Sequence, residues 1–187
     1  ITLTFPSGVL TTGTPQAATA NGVTVSTTQD FASAGSASQA LGGQVTVGTS
    51  LTLVAGDLVG NKATSGVVSI VFTPVTIIPS GGTITINTPF NYFATRGAGA
   101  AAGTSSITCA TACAGAAVGN VAVTNTAASG STAGFGTVTV VVATGATTAS
   151  AITLQFGLGT LTTGRPQAGT AAGVTVSTSR DVASAGS

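Results

Sequence analysis

No histidine, glutamate, methionine or tryptophan occurs in the 187-residue chain. Only Lys62, Arg96, Arg165, Arg180, Asp30, Asp57 and Asp181 carry a formal charge, and none lies between Arg96 and Arg165. Charged residues make up 4% of the chain, against roughly 25% in an average soluble domain. These absences exclude most chemistry. A serine nucleophile has no histidine base, and paired carboxylates for acid–base work are missing. Two cysteines cannot hold a zinc ion without further ligands. A calcium site at Asp57 or Asp30 would offer one carboxylate and otherwise only carbonyls. The glycine-rich runs lack the lysine and the strand-to-helix setting of a phosphate loop. The chain is therefore expected not to be an enzyme and to need no cofactor or metal. Its net charge of +1 gives no pull toward nucleic acid or an anionic membrane.

Low charge also leaves the surface in need of cover, because soluble monomers normally stay dispersed through surface charge. Lateral packing into a filament, a coat of sugar and exposed hydroxyls could each supply it. Mean hydropathy is +0.58, but a spanning helix needs about 20 consecutive apolar residues. The best run, 135–156, is interrupted by Thr, Ser and Gly and alternates with period 2, so no membrane span is expected. A porin-like barrel would show aromatic girdles, and one Tyr with seven Phe cannot make them. Disorder is disfavoured by a hydrophobic content of 43%. The chain opens directly in the strand-like run Ile1–Phe5 and is expected to be a fragment or a processed product.

The strongest positive signal is a repeat. Residues 1–36 align without a gap on residues 152–187, with 26 identities in 36 positions. Less common residues match too: Phe5 with Phe156, Pro15 with Pro166, Gln16 with Gln167, Asp30 with Asp181. The period is 151 residues. A weaker echo at an offset of 68 relates the strand–turn–strand run 71–86 to the stretch ending at Leu154. It suggests two related modules per period, 37–113 and 114–187, with 1–36 as the tail of a preceding module.

Segments rich in Val, Ile and Thr, bounded by Gly, Pro, Ser or Asn, read as strands at 1–5, 23–27, 44–54, 67–73, 83–87, 106–109, 118–124, 135–143, 152–156 and 174–178. No segment keeps a helical period. The fold class is all-β, as tandem immunoglobulin-like β-sandwich modules, with a β-solenoid as the alternative. The expected cores are Val47, Leu51, Leu53, Val68, Ile70, Phe72, Ile84 and Ile86 in the first module, and Val121, Val123, Val138, Val140, Val142, Ile152, Leu154 and Phe156 in the second.

Cys109 and Cys113 form C-x3-C, which reads as a local disulfide and so as an oxidising, extracellular or cell-surface location. None of the six Asn stands in an N-x-[ST] sequence, which excludes ordinary N-glycosylation. Thr and Ser number 37 and 18, and Thr11, Thr12, Thr14, Thr162 and Thr163 lie in loop clusters that suit O-linked glycans.

The run I-x-F-T-P-x-x-x-I-P-x-G-G-x-I-T-I at Ile70–Ile86 resembles tandem repeats of very long, Thr/Ala/Gly-rich surface proteins of microbes and algae, which form glycosylated extracellular fibrils. The resemblance covers about one strand–turn–strand per module. It implies immunoglobulin-like beads in a sugar-coated filament and brings no catalytic residue. The expected function is that of a structural protomer self-associating with identical copies in an extracellular fibril or surface filament. An adhesin stalk or an ice-binding surface is the alternative, the latter on the Thr-x-Thr rows at 83–85 and 137–139.

Overall fold

A computed structural model describes residues 1–96, 107–111, 113 and 117–187. Its strands are β1 (Thr19–Val23), β2 (Ser36–Ser38), β3 (Thr46–Thr52), β4 (Val68–Thr73), β5 (Thr83–Pro89), β6 (Ile107–Thr111), β7 (Ala117–Thr126), β8 (Phe135–Thr144), β9 (Ile152–Phe156) and β10 (Thr175–Thr178). The only helical element among the described residues is a 3₁₀ turn at Ala55–Asp57. Two four-stranded sheets, β3-β4-β9-β6 and β10-β5-β8-β7, pair antiparallel throughout, and β1 and β2 form a separate two-stranded ribbon. Neither large sheet is closed. Antiparallel pairing is not the parallel stacking of β-helix rungs, so the described strands do not support the solenoid alternative.

Alternation builds the core. In β4, β5, β8, β9 and β10 every second residue is buried. Successive side chains point to opposite faces of a strand, so each sheet presents one apolar face. The two faces merge in one cluster: Val68, Ile70, Phe72, Ile152, Leu154 and Phe156 from the first sheet meet Ile84, Ile86, Val138, Val140, Val142 and Val176 from the second. Each such side chain, fully buried, contributes about 1.5–3 kcal/mol. Between the sheets the chain turns at Pro79–Gly82. There Gly82 N donates to Pro79 O at 2.9 Å and Gly81 has φ +80°, a conformation open to glycine.

The strands at 68–73, 83–89, 135–144 and 152–156 lie where the sequence places them. Four corrections follow. Both large sheets take strands from 37–113 and from 114–187 and share one core, so the two stretches do not form separate modules among the described residues. The 151 residues 37–187 hold the whole two-sheet unit. Residues 1–5 form no strand and 23–27 none beyond Val23; the strand in that region is β1, four residues earlier. Backbone in an extended segment needs a partner to make a ladder, and residues 1–5 have none among the described residues. Val47, Leu51 and Leu53 are only half-buried against the core, because β3 is an edge strand. Finally, Val45, Ile78, Phe93, Leu161 and Val174 join the core from loops.

Candidate functional site

Among the described residues no cluster of three or more His, Cys, Asp or Glu side chains occurs, and no helix is long and apolar enough to cross a membrane. The feature with functional geometry is the slot that residues 152–187 fill. β9 is an interior strand. Ile152, Leu154 and Phe156 pair in register with Phe72, Ile70 and Val68 of β4, while Leu154 and Phe156 also face Cys109 and Ile107 of β6. All three are 0% exposed. β10 closes the other sheet beside β5, with Val176 opposite Ile86 and Val174 just before it. Between them Leu161 is buried, and Thr64 N donates to its carbonyl at 3.0 Å.

Two side chains of this segment tie down the rest of the unit by long-range bonds. The Asp181 carboxylate, 1% exposed, accepts from Gly43 N and Thr76 N, both at 3.0 Å. An ionised acceptor satisfying two backbone donors is stronger than neutral pairs. Its own turn is set by Thr178, whose hydroxyl accepts from Arg180 N at 3.0 Å and Asp181 N at 2.9 Å. The Thr163 hydroxyl accepts from Lys62 N at 3.0 Å and donates to the Val59 or Lys62 carbonyl. Thr160, in contrast, is 2% exposed and its hydroxyl is the one buried side-chain polar atom among the described residues without a partner.

A second polar knot belongs to the body. Asp57 is 0% exposed and accepts from Ser65 N, Ser65 Oγ (2.6 Å) and Gly66 N (2.9 Å), with Lys62 Nζ at 3.1 Å. The Ser65 hydroxyl and then the Ser65 amide hold its carboxyl well below the usual carboxylate range; burial opposes them, and Gly66 and Lys62 add to the lowering. Among the described residues neither Asp57 nor Asp30 belongs to a cluster of three or more such side chains, and the Asp30 carboxylate accepts from the Thr27 hydroxyl in its own turn. An open cleft of about 410 Å³ lies between Leu58, Pro89, Tyr92, Arg165 and Pro166.

The other singled-out residues separate by exposure. Thr11, Thr12 and Thr14 are exposed and Thr162 is half-buried. Thr163 is 7% exposed with its hydroxyl engaged, so it is withdrawn as a glycan acceptor. Cys109 and Cys113 are joined by a disulfide with Cα atoms 6.0 Å apart, at the end of β6. Sequence reasoning missed the structural parts of Asp181 and Thr163; the recurrence of both in the repeat, as Asp30 and Thr12, was the signal available.

Compared with protein-family models, curated proteins and solved structures, the chain has no match in any of the three.

Proposed function

We propose that the chain is a structural protomer of an extracellular fibril or surface filament built from 151-residue tandem repeats of immunoglobulin-like β-sandwich units. Exposed loop threonines, Thr11 and Thr14 among them, carry O-linked glycans that stand in for the missing charge. Identical copies are its partners, and the disulfide at Cys109–Cys113 fits an oxidising, extracellular setting.

One observation carries the reading. Two copies of one 36-residue segment, identical at 26 positions, differ in place: 152–187 closes the unit and 1–36 stands almost wholly exposed. A body closed by the opening of the next repeat can be extended without limit and leaves no unpaired interior strand. Repeated units that complete one another build length, which is what a fibril needs. The charge-poor composition supports the same reading, since a lattice or sugar coat replaces the solvation that charge would give.

The test is the mass of native material boiled in denaturant and reductant, before and after chemical deglycosylation. A species far above 17.5 kDa that shrinks on deglycosylation is expected. A single sharp species at 17.5 kDa would contradict a continuous, sugar-coated chain. Glycopeptide mapping should find sugar at exposed loop threonines and none at Thr163.

A second reading has its own observation. On the outward face of the second sheet, Ser177, Thr85 and Thr139 stand in one cross-strand row, and Asn87 and Thr137 in the next. Such rows of hydroxyl and amide groups could engage ice. Thermal hysteresis at high protein concentration would support this, and its absence would remove it.

A further inference from the structure

We infer that residues 1–36 are a closing segment for the 37–151 body of another copy of this chain, seated in the place that 152–187 takes within the unit. The inference deepens the tandem-repeat reading above and names its contact.

The pattern of identity follows burial in the seated segment. Twelve positions of 152–187 are buried, and eleven of them carry the same residue in 1–36. Nine of the ten differences fall where the seated segment is exposed or half-buried, as at Thr14 against Arg165, Asn21 against Ala172 and Gln29 against Arg180. The one buried difference is Val9 against Thr160. Thr160 has the hydroxyl that finds no partner. Valine has nearly the same shape without that hydroxyl, so the one change at a buried position removes the unpaired group. A segment selected only for an exposed life would have no reason to keep the other eleven.

The 23–36 part of the free segment already has the bonds of its seated counterpart, 174–187. Val23 pairs with Ser36 as Val174 exchanges backbone bonds with Ser187. Val25 N donates to Ser33 Oγ at 3.1 Å, as Val176 N donates to Ser184 Oγ at 3.0 Å. Ser33 N donates to Val25 O at 2.7 Å, as Ser184 N donates to Val176 O at 2.8 Å. The Thr27 hydroxyl accepts from Gln29 N and Asp30 N, as Thr178 accepts from Arg180 N and Asp181 N. The arch 23–36 is therefore built before it docks, which lowers the ordering entropy of binding.

What is missing is the partner surface. Ile1, Leu3 and Phe5 are 121%, 72% and 57% exposed, where Ile152, Leu154 and Phe156 are each at 0%. Among the described residues Asp30 has no counterpart of the Gly43 and Thr76 amides that hold Asp181. The body of the same chain has its slot filled by 152–187, so the acceptor is a second copy in which 152–187 has left the slot. Ile1–Phe5 would lie between β4 and β6 of that copy, 24–27 beside its β5, and Asp30 on its Gly43 and Thr76 amides.

The test opens the slot in the full chain. Phe156→Asp puts a charge at the centre of β9 and should expel 152–187, leaving intact 1–36 to close a neighbouring body. Light scattering should give a weight-average mass of at least about twice 17.5 kDa, with cooperative melting retained. Adding Phe5→Asp to Phe156→Asp should abolish both the mass increase and the cooperative melt. A synthetic peptide of residues 1–36 should restore melting to that double variant, and the same peptide with Phe5→Asp should not. If the single and double variants are indistinguishable in mass and melting, whether both fold or neither does, the inference is overturned. This outcome is separate from the fate of the fibril reading, which the mass of the native material decides.

Discussion

Residues 1–5 and 152–156 differ at one position, Thr4 against Gln155, yet only the second is a strand. The second lies between β4 and β6 with every other side chain buried; the first is exposed at all five residues. The same contrast separates 23–27 from 174–178, where the Val25 side chain is 61% exposed and that of Val176 is 0%. A β-strand is thus a property of a pair. Alternating Ile, Leu and Phe equips a segment for burial, but the ladder and the apolar contact both come from neighbours elsewhere in the chain. The turns behave differently. The Thr27–Asp30 and Thr178–Asp181 turns keep the same hydroxyl-to-amide bonds in both places, because their partners are two or three residues away.

Substitutions at matched positions should therefore part company. Phe156→Ala is expected to destabilise the isolated chain by about 3–5 kcal/mol through loss of a fully buried ring, whereas Phe5→Ala should stay within about 0.5 kcal/mol. Urea unfolding of both variants checks this, and equal effects would break the contrast. Asp181→Ala should cost about 2–4 kcal/mol, since it strands the Gly43 and Thr76 amides, while Asp30→Ala changes little.

Asp57 lies in the body and should act in the same way whichever segment closes it. Its folded carboxyl titrates below the unfolded value of about 4, so its contribution is present above that pH and is lost as pH falls through the lower, folded value. Melting temperature should accordingly fall on acidification below about pH 4, and Asp57→Asn should show a lower melting temperature at neutral pH with a shallower acid slope. The smallest expected effect is a gain. Thr160→Val, which copies Val9, should stabilise by about 1 kcal/mol by removing the unpaired hydroxyl, and Val9→Thr in the isolated chain should be silent.

Much of this was legible in the sequence where information is local. The strands at 68–73, 83–89 and 135–144 alternate without interruption, and Ile70, Ile84, Val138 and Val140 reach the core as their period requires. Ile78, Phe93 and Leu161 did not, because they enter the core from loops that have no period to read. The internal echo at offset 68 suggested two modules, but β4 pairs with β9 and β5 with β8 across the expected boundary. Such pairings join residues between 46 and 88 positions apart, a distance over which hydropathy pattern is silent. The repeat of 1–36 pointed to the closing segment, yet which of its residues matter required burial: Thr163 reads as a surface hydroxyl in sequence and is an internal hydrogen-bonding group in the fold.

The most direct test of the account is hydrogen exchange, followed by peptide mass, on the full chain and on Phe156→Asp. In the unaltered chain the amides of 152–156 should be protected and those of 1–5 should exchange freely. In Phe156→Asp the protection should move, leaving 152–156 and appearing at 1–5. Free exchange at 1–5 in both proteins would contradict the claim that these two copies of one sequence compete for the same place.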